Sequence, residues 1–297
     1  MANEVILEEE TKTRESYSYW GLVFKRLRKH RLAMIGFFLL LLIIGIVVVG
    51  PLVWRVDPLK QSEGIEGMFL PPSPAHPLGT DDYGRDVLAR LLYGGRISLF
   101  IGFMAAISSV FLGAVVGLIS GFFGGKIDTI LMRLVDIMLS IPVFPLLIAL
   151  ASVLGKGVWQ IILVIVVFGW MGDARLVRSV VLSLREEEFS EAERAIGSSP
   201  WRIMFVHYLP NVMAPIIVST TLGIGSAIVY EASISFLGFG VQAPLPSWGN
   251  MLQNAQDYIF THQALVWYPG LAIFLTVLSF NFIGDGLRDA MDPRLYR

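Results

Sequence analysis

The run from Ala33 to Val53 constrains this chain more than any other stretch. It holds about 20 residues without a charge, the length at which a helix crosses the hydrocarbon core of a bilayer. In lipid every backbone polar group must be paired within the segment, so such a run reads as a helix and not as an open strand. Five further apolar segments follow: Ile97–Ile119, Asp128–Val153, Val158–Leu184, Val212–Leu237 and Ala264–Gly286. The fourth is the shortest in apolar content, with about 14 mainly apolar residues up to Met171. Beyond it, "DARLVRSVVLSLR" reads as the same helix continuing into the cytosol. The expected fold is therefore an all-α polytopic membrane protein with six transmembrane helices.

Composition agrees with lipid as the solvent. Only 16% of residues are charged, against roughly a quarter in soluble domains. The chain has no cysteine, which excludes disulfides and thiolate metal sites. A net charge of −1 and the lack of a basic stripe with interleaved aromatics point away from nucleic acid. No small-residue cleavage site follows Val53, so the first run reads as an uncleaved helix behind a cytoplasmic tail.

Lysine and arginine set the orientation. Lys25, Arg26, Arg28, Lys29 and Arg31 stand just before the first run. With both termini inside, the inner segments carry about 17 of the 23 Lys and Arg residues, as the positive-inside rule expects. The reading divides the chain into a tail, 1–31, and one transmembrane domain, 32–297. That domain has outer loops at 54–96 and 238–263 and an inner loop at 185–210. The first outer loop contains "PPSPAHPLGTDDYGRD" and the second "QAPLPSWGN". Both are rich in turn-forming proline and glycine.

The inner loop is unusual. In "SEAERAIGSSPWRIMFVHYLPN", Ser190 and Glu193 have the spacing of a capping box at a helix start. The helix would run about two turns to Gly197, in the left-handed position after a helix end. Ser198 or Ser199 would cap a second helix with Pro200 in its first turn, and Leu209-Pro210 would stop it. Phe189, Ala192, Ala195 and Ile196 share one face of the first helix. Two readings fit: a compact knob for a partner, or an ordinary loop helix folded back on its own bundle.

The same stretch resembles the Glu-Ala-Ala loop of permease subunits in binding-protein-dependent, ATP-driven (ABC) importers. Glu191, Ala192, Gly197, Leu209 and Pro210 fall at the motif's spacing. Two positions depart from it: Glu193 replaces the third motif residue, and His207 stands where isoleucine is usual. The resemblance extends from Arg26 through "HPLGTDDYGRDVLARLLYGGRISL", "GGKIDTILMRLVDIMLSIP", "ARLVRSVVLSL", "EASISFLGFGVQAPLPSWGNML" and "GDGLRDAMDPR". These look like the second permease of the dipeptide/oligopeptide branch. The tail before Tyr17 carries none of it.

The resemblance implies a type I ABC importer transmembrane fold in the cytoplasmic (inner) membrane, with a coupling helix that docks on an ATPase. It implies four partners besides the lipid: a homologous second permease, two ATPase subunits and an extracytoplasmic substrate-binding protein. Glu191, Ala192, Ala195, Gly197 and Trp201 become the expected motor contacts. Asp81, Asp82, Arg85 and Trp248 become candidates for docking the binding protein. The cargo would be di- or oligopeptides, with nickel chelates, glutathione or another small solute as alternatives under the same pattern. ATP and magnesium belong to the partners. Here Gly125-Lys126-Ile127 and Gly155-Lys156-Gly157 both lack the hydroxyl residue of a phosphate-binding loop. An ion-gradient-driven secondary transporter is the competing class, but no paired broken helices at the midplane are visible in the sequence.

Charged residues inside the apolar segments come last. Glu231, about 28 Å beyond Val212 on a helix, reads either as a lining or gate of the substrate path, or as a helix-end carboxylate bonded to the partner permease. Arg133 and Asp136 are spaced to pair with each other. Asp173, Arg175 and Arg178 would anchor the fourth helix at the headgroups. Asp285, Arg288, Asp289, Asp292 and Arg294 would close the chain with salt bridges. The four histidines are scattered, so no metal site is expected around His76, Asp81 and Asp82. No Gly-x-Ser-x-Gly elbow suggests hydrolysis.

Overall fold

The computed structural model describes residues 19–61 and 65–292. Among the described residues the α-helical elements are α1 (Tyr19–Lys29), α2 (Arg31–Val53), α3 (Val87–Phe123), α4 (Gly125–Ser140), α5 (Val143–Leu154), α6 (Val158–Gly169), α7 (Met171–Arg185), α8 (Glu188–Ala195), α9 (Pro200–Phe236), α10 (Trp248–Asn254) and α11 (Ala264–Met291). Among the described residues there is no β-strand, only two isolated bridges in the first outer loop.

Four helices, α2, α3, α9 and α11, are each long and apolar enough to cross a membrane. The pairs α4–α5 and α6–α7 bring the number to six if each pair is one span. Both pairs are broken, against the expectation of continuous helices. α4 and α5 meet at 90°. The cause is Pro142, which forces Ile141 into extended geometry (φ −89°, ψ 133°) and so ends the helix. α6 and α7 bend by 41° at Trp170, where α6, apolar but for Gln160, gives way to the amphipathic α7. The two described ends of the chain lie together, with Val23 of α1 packed on Ala290 and Met291 of α11.

Three loop boundaries also differ from expectation. The outer loop assigned to 54–96 becomes helical at Val87, because the Asp86 side chain accepts the Ala89 N–H at 2.7 Å and caps α3. The loop assigned to 238–263 contains α10, capped by Ser247. Residues 19–29 of the expected tail form α1. Residues 1–18 of that tail and Arg294 lie outside the described residues.

α3 is the axis of the molecule, packed by α2, α6, α7 and α9. Its contact with α7 is made by glycines one turn apart. A Cβ on Gly117 would stand 2.6 Å from the Ala174 carbonyl oxygen and 2.8 Å from the Val177 Cβ. Gly113 meets the Trp170 carbonyl and Asp173 Cβ equally closely, and Gly121 meets Val181. Such small-residue stripes let helix backbones approach and gain dispersion contacts in lipid, where the hydrophobic effect cannot drive association.

The inner ends of α3, α4 and α7 are laced by charge. Arg178 donates two bonds to Asp128, at 2.5 and 2.6 Å, and Ser120 donates to the same carboxylate. Arg133 and Asp136 do not pair as expected; Asp136 accepts from Arg175 of α7 instead. Asp173 accepts from Ser219 of α9. The cluster expected at the headgroups therefore ties helices to one another. At the end of the chain, Asp289 lies 3.4 Å from His30.

Candidate functional site

The inner knob is α8 and the turn that follows it. The helix starts at Glu188, with Glu187 in extended geometry before it, and not at Ser190. The expected capping box is therefore not formed. Glu188 and Glu191 lie in the first turn, where carboxylates suit the positive end of the helix dipole. Ser190 has another task. It is buried, donates to the Leu184 carbonyl of α7 and accepts from the buried Tyr208 hydroxyl of α9 at 3.1 Å. Two spanning elements thus grip α8 through one serine.

The exit from α8 follows the sequence reading. Gly197 has φ +78°. Its N–H bonds the Arg194 carbonyl at 3.1 Å, and the Ser198 N–H bonds the Glu193 carbonyl at 3.0 Å. This bond pair closes a helix with a left-handed glycine. Ser199 then caps α9, accepting from the Arg202 N–H, with Pro200 in the first turn.

Pro210 does not stop α9, contrary to expectation. Residues 203–208 take π-helical form, and the Leu209 N–H reaches back to Met204. The wider turn absorbs the missing proline N–H and gives its ring room, so the helix continues into the membrane.

The two motif departures meet. Glu193 turns inward, accepts from Ser198, and lies 3.2 Å from His207 Nε2. With Glu193 withdrawn, an exposed apolar patch remains among the charges of the knob. Ala192, Ala195 and Ile196 are exposed, Ile196 by 77%. Trp201 is 64% exposed and stacks on Phe205 with ring centroids 5.6 Å apart. Glu191 and Arg194 flank this patch and are exposed. All five expected contact residues are exposed: Glu191, Ala192 and Ala195 on α8, Gly197 in the turn after it and Trp201 in the first turn of α9.

The outer candidates are placed differently. Asp81 accepts from the N–H groups of Tyr83 and Arg85, both at 2.9 Å, and from Arg85 Nε at 2.7 Å. Arg90 reaches Asn250 of α10 at 3.4 Å. Trp248 is enclosed; its indole donates to the Leu91 carbonyl at 3.0 Å. Asp81, Arg85 and Trp248 are all buried and offer no contact surface. They form the frame of an outer cap, whose exposed face carries Tyr83, Leu245 and Phe260 instead. Asp82 is half-buried, and burial, together with the neighbouring Asp81 carboxylate, raises its pKa above the usual carboxylate range. His76, singled out beside these carboxylates, lies 2.9 Å from Asp86.

Glu231 is fully buried within the chain. It accepts from Ser98 of α3 at 3.0 Å and from Ser235 of its own helix at 2.8 Å. Its carboxylate is enclosed by hydroxyls of its own chain.

The sequence reading missed the glycine stripe of α3, although its signal, Gly113, Gly117 and Gly121 at intervals of four, is plain. It also missed Tyr208, whose role depends on a contact 18 residues away.

Comparison with known proteins follows the same lines. The family described as "Binding-protein-dependent transport system inner membrane component" matches residues 113–297. The "N-terminal TM domain of oligopeptide transport permease C" matches residues 18–72. The "Dipeptide transport system permease protein DppC" of Alkalihalophilus pseudofirmus is 43% identical, covering 94% of this chain and 91% of its own length. The "Oligopeptide transport system permease protein OppC" of Bacillus subtilis is 40% identical over 95% of this chain and 92% of its own. The "Glutathione transport system permease protein GsiD" of Pectobacterium atrosepticum is 38% identical over 93% and 91%.

Proposed function

From the premise that this chain belongs to the family of binding-protein-dependent transport system inner membrane components, we propose that it is one half of an ATP-driven importer of di- and oligopeptides. The observation that carries the reading is α8: a short helix gripped from within by Ser190 and Tyr208, with an apolar surface turned away from the bundle. A helix folded back on its own chain would hide that surface. Exposed apolar patches of this kind mark docking sites.

In this reading α8 and the Trp201–Phe205 pair seat on an ATPase subunit. A homologous permease closes the other half of the path. The open apolar groove between α9 and α11, about 730 Å³ and lined by Val229, Phe236, Phe274, Val277 and Asn281, is the face it would cover. A second ATPase and an outer binding protein complete the assembly. ATP closure draws the two coupling helices together and turns the path outward; hydrolysis resets it. The work is a difference in binding free energy between two pore states, with no covalent step in this chain.

Motor docking is tested by copurification. Ile196→Asp together with Trp201→Asp should remove the ATPase from the purified complex while the homologous permease stays. Retention of both would refute α8 as the docking element.

The Glu193–His207 contact gives a second test. His207→Ile alone leaves the carboxylate with Ser198 only and should lower transport-coupled ATPase activity by roughly two- to fivefold, the scale of a partly exposed carboxylate–imidazole contact of about 1 kcal/mol at most. Glu193→Ala with His207→Ile should recover to within about twofold of wild type. Additive losses would show that the pair does not act as a unit.

A further inference from the structure

Glu231 is a fully buried carboxylate near the outer end of α9, and among the described residues no cation pairs with it. Such a group is costly to bury, and the coupling surface makes no use of it. Its partners are hydroxyls with a second obligation. Ser98 donates to Glu231 and accepts the Trp248 N–H at 3.1 Å. Ser235 donates to Glu231 and accepts the Val241 N–H at 3.2 Å. Ser247 also faces the carboxylate and accepts the Asn250 N–H at 3.1 Å.

Each hydroxyl has one proton. Both carboxyl oxygens accept from these hydroxyls, which turns their protons inward and leaves the serine oxygen lone pairs for the backbone N–H groups. All three N–H groups belong to the segment 241–250, which covers the outer end of α3. Asn250 carries the arrangement on: its side chain donates to the Val241 carbonyl at 3.1 Å and accepts from Arg90. Arg90 in turn lies 3.4 Å from Asp81 of the first outer loop. One carboxylate thus sets the hydrogen-bond polarity of the whole outer cap.

We infer that Glu231 is a positioning residue for the outer docking surface, acting through Ser98, Ser235 and Ser247 to fix the segment 241–250 in the form that a soluble partner meets. The inference rests on the importer reading for its functional consequence, though not for its geometry. Glutamine is the discriminating substitution. Its amide accepts at only one atom and donates at the other, so one hydroxyl must turn its proton away, and that serine oxygen then accepts the amide N–H beside the backbone N–H, which strands a buried hydroxyl proton and crowds the bond that holds the segment.

Two readouts separate the inference from the reading beneath it. The first needs no transport partner. The chain lacks cysteine, and Val241 is 1% exposed. In intact cells, Val241→Cys should react slowly with a membrane-impermeant maleimide. Adding Glu231→Gln should raise that rate about tenfold or more, the scale of one unsatisfied buried polar group. Ser235→Ala should do the same even if the glutamine variant fails to accumulate, whereas Ser98→Ala should act less strongly at this position. Unchanged labelling in both the Glu231→Gln and Ser235→Ala backgrounds would overturn the inference.

The second readout uses the assembled complex in nanodiscs with its binding protein. Glu231→Gln should raise the half-saturating concentration of binding protein about tenfold while basal ATPase activity stays within about twofold. Equal loss of both would indicate a general packing defect and refute a positioning role. Failure of any binding protein to stimulate the wild-type complex would sink the importer reading, and the labelling result would still stand by itself.

Discussion

Replacing Gly197 with proline is expected to cut ATP-driven uptake at least tenfold while the chain inserts and accumulates normally. Gly197 closes α8 at φ +78°, and proline fixes φ near −65°. The substitution also removes the N–H that bonds the Arg194 carbonyl. Bulk is not the cause, since a Cβ at Gly197 would meet nothing within 4 Å. The defect is one of direction: the chain could no longer turn from α8 into Ser199 and Trp201, and the two parts of the apolar patch would separate. Gly197→Ala, which pays about 1–2 kcal/mol for left-handed geometry, should lose only a few-fold. Paired measurements of uptake and abundance decide the matter. Normal uptake by the proline variant would refute the coupling assignment.

Gly117→Leu should do the opposite kind of damage. It lies on α3 where the backbone of α7 passes, and even a methyl would stand 2.6 Å from the Ala174 carbonyl oxygen. Relief requires the two helices to part, which would also strain the Arg178–Asp128 bonds at their inner ends. Overpacking of a tight contact costs about 1–3 kcal/mol and occasionally more. Domains are stable by only about 5–15 kcal/mol, so membrane abundance should fall more than tenfold. Gly45→Leu is the control. That glycine is on α2 with nothing within 4 Å, and its replacement should leave abundance unchanged. Equal abundance of the Gly117 and Gly45 variants would show that the α3–α7 contact does not limit stability.

Much of this architecture is legible in local sequence. The apolar runs are set by lipid, and Gly197, Ser199 and Pro200 each act through their own backbone geometry. The breaks were equally local, since Ile141-Pro142 announces the end of α4, but hydropathy averaged over a window passes across it. Pro210 misled in the other direction, because a π-turn can accommodate a proline that an α-turn cannot. What sequence could not supply were contacts between distant segments. Glu193 and His207 look like unrelated exceptions until α8 and α9 are folded together. Asp81, Arg85 and Trp248 look like surface residues because they lie in loops, yet loops that cap a bundle bury polar side chains when each has a partner. Glu231 looked like a gate because an intramembrane carboxylate usually marks function; its three serines are spread over 150 residues of chain.

The central claim, that this chain is the translocating half of an ATP-driven peptide importer, is tested most directly by uptake. The complex purified through this chain would be placed in proteoliposomes with its binding protein, offered mixed short peptides, and the lumen read by mass spectrometry. The account predicts that di- to oligopeptides accumulate only when ATP is supplied on the ATPase side. Accumulation driven by an ion gradient, with no ATPase copurifying, would contradict it.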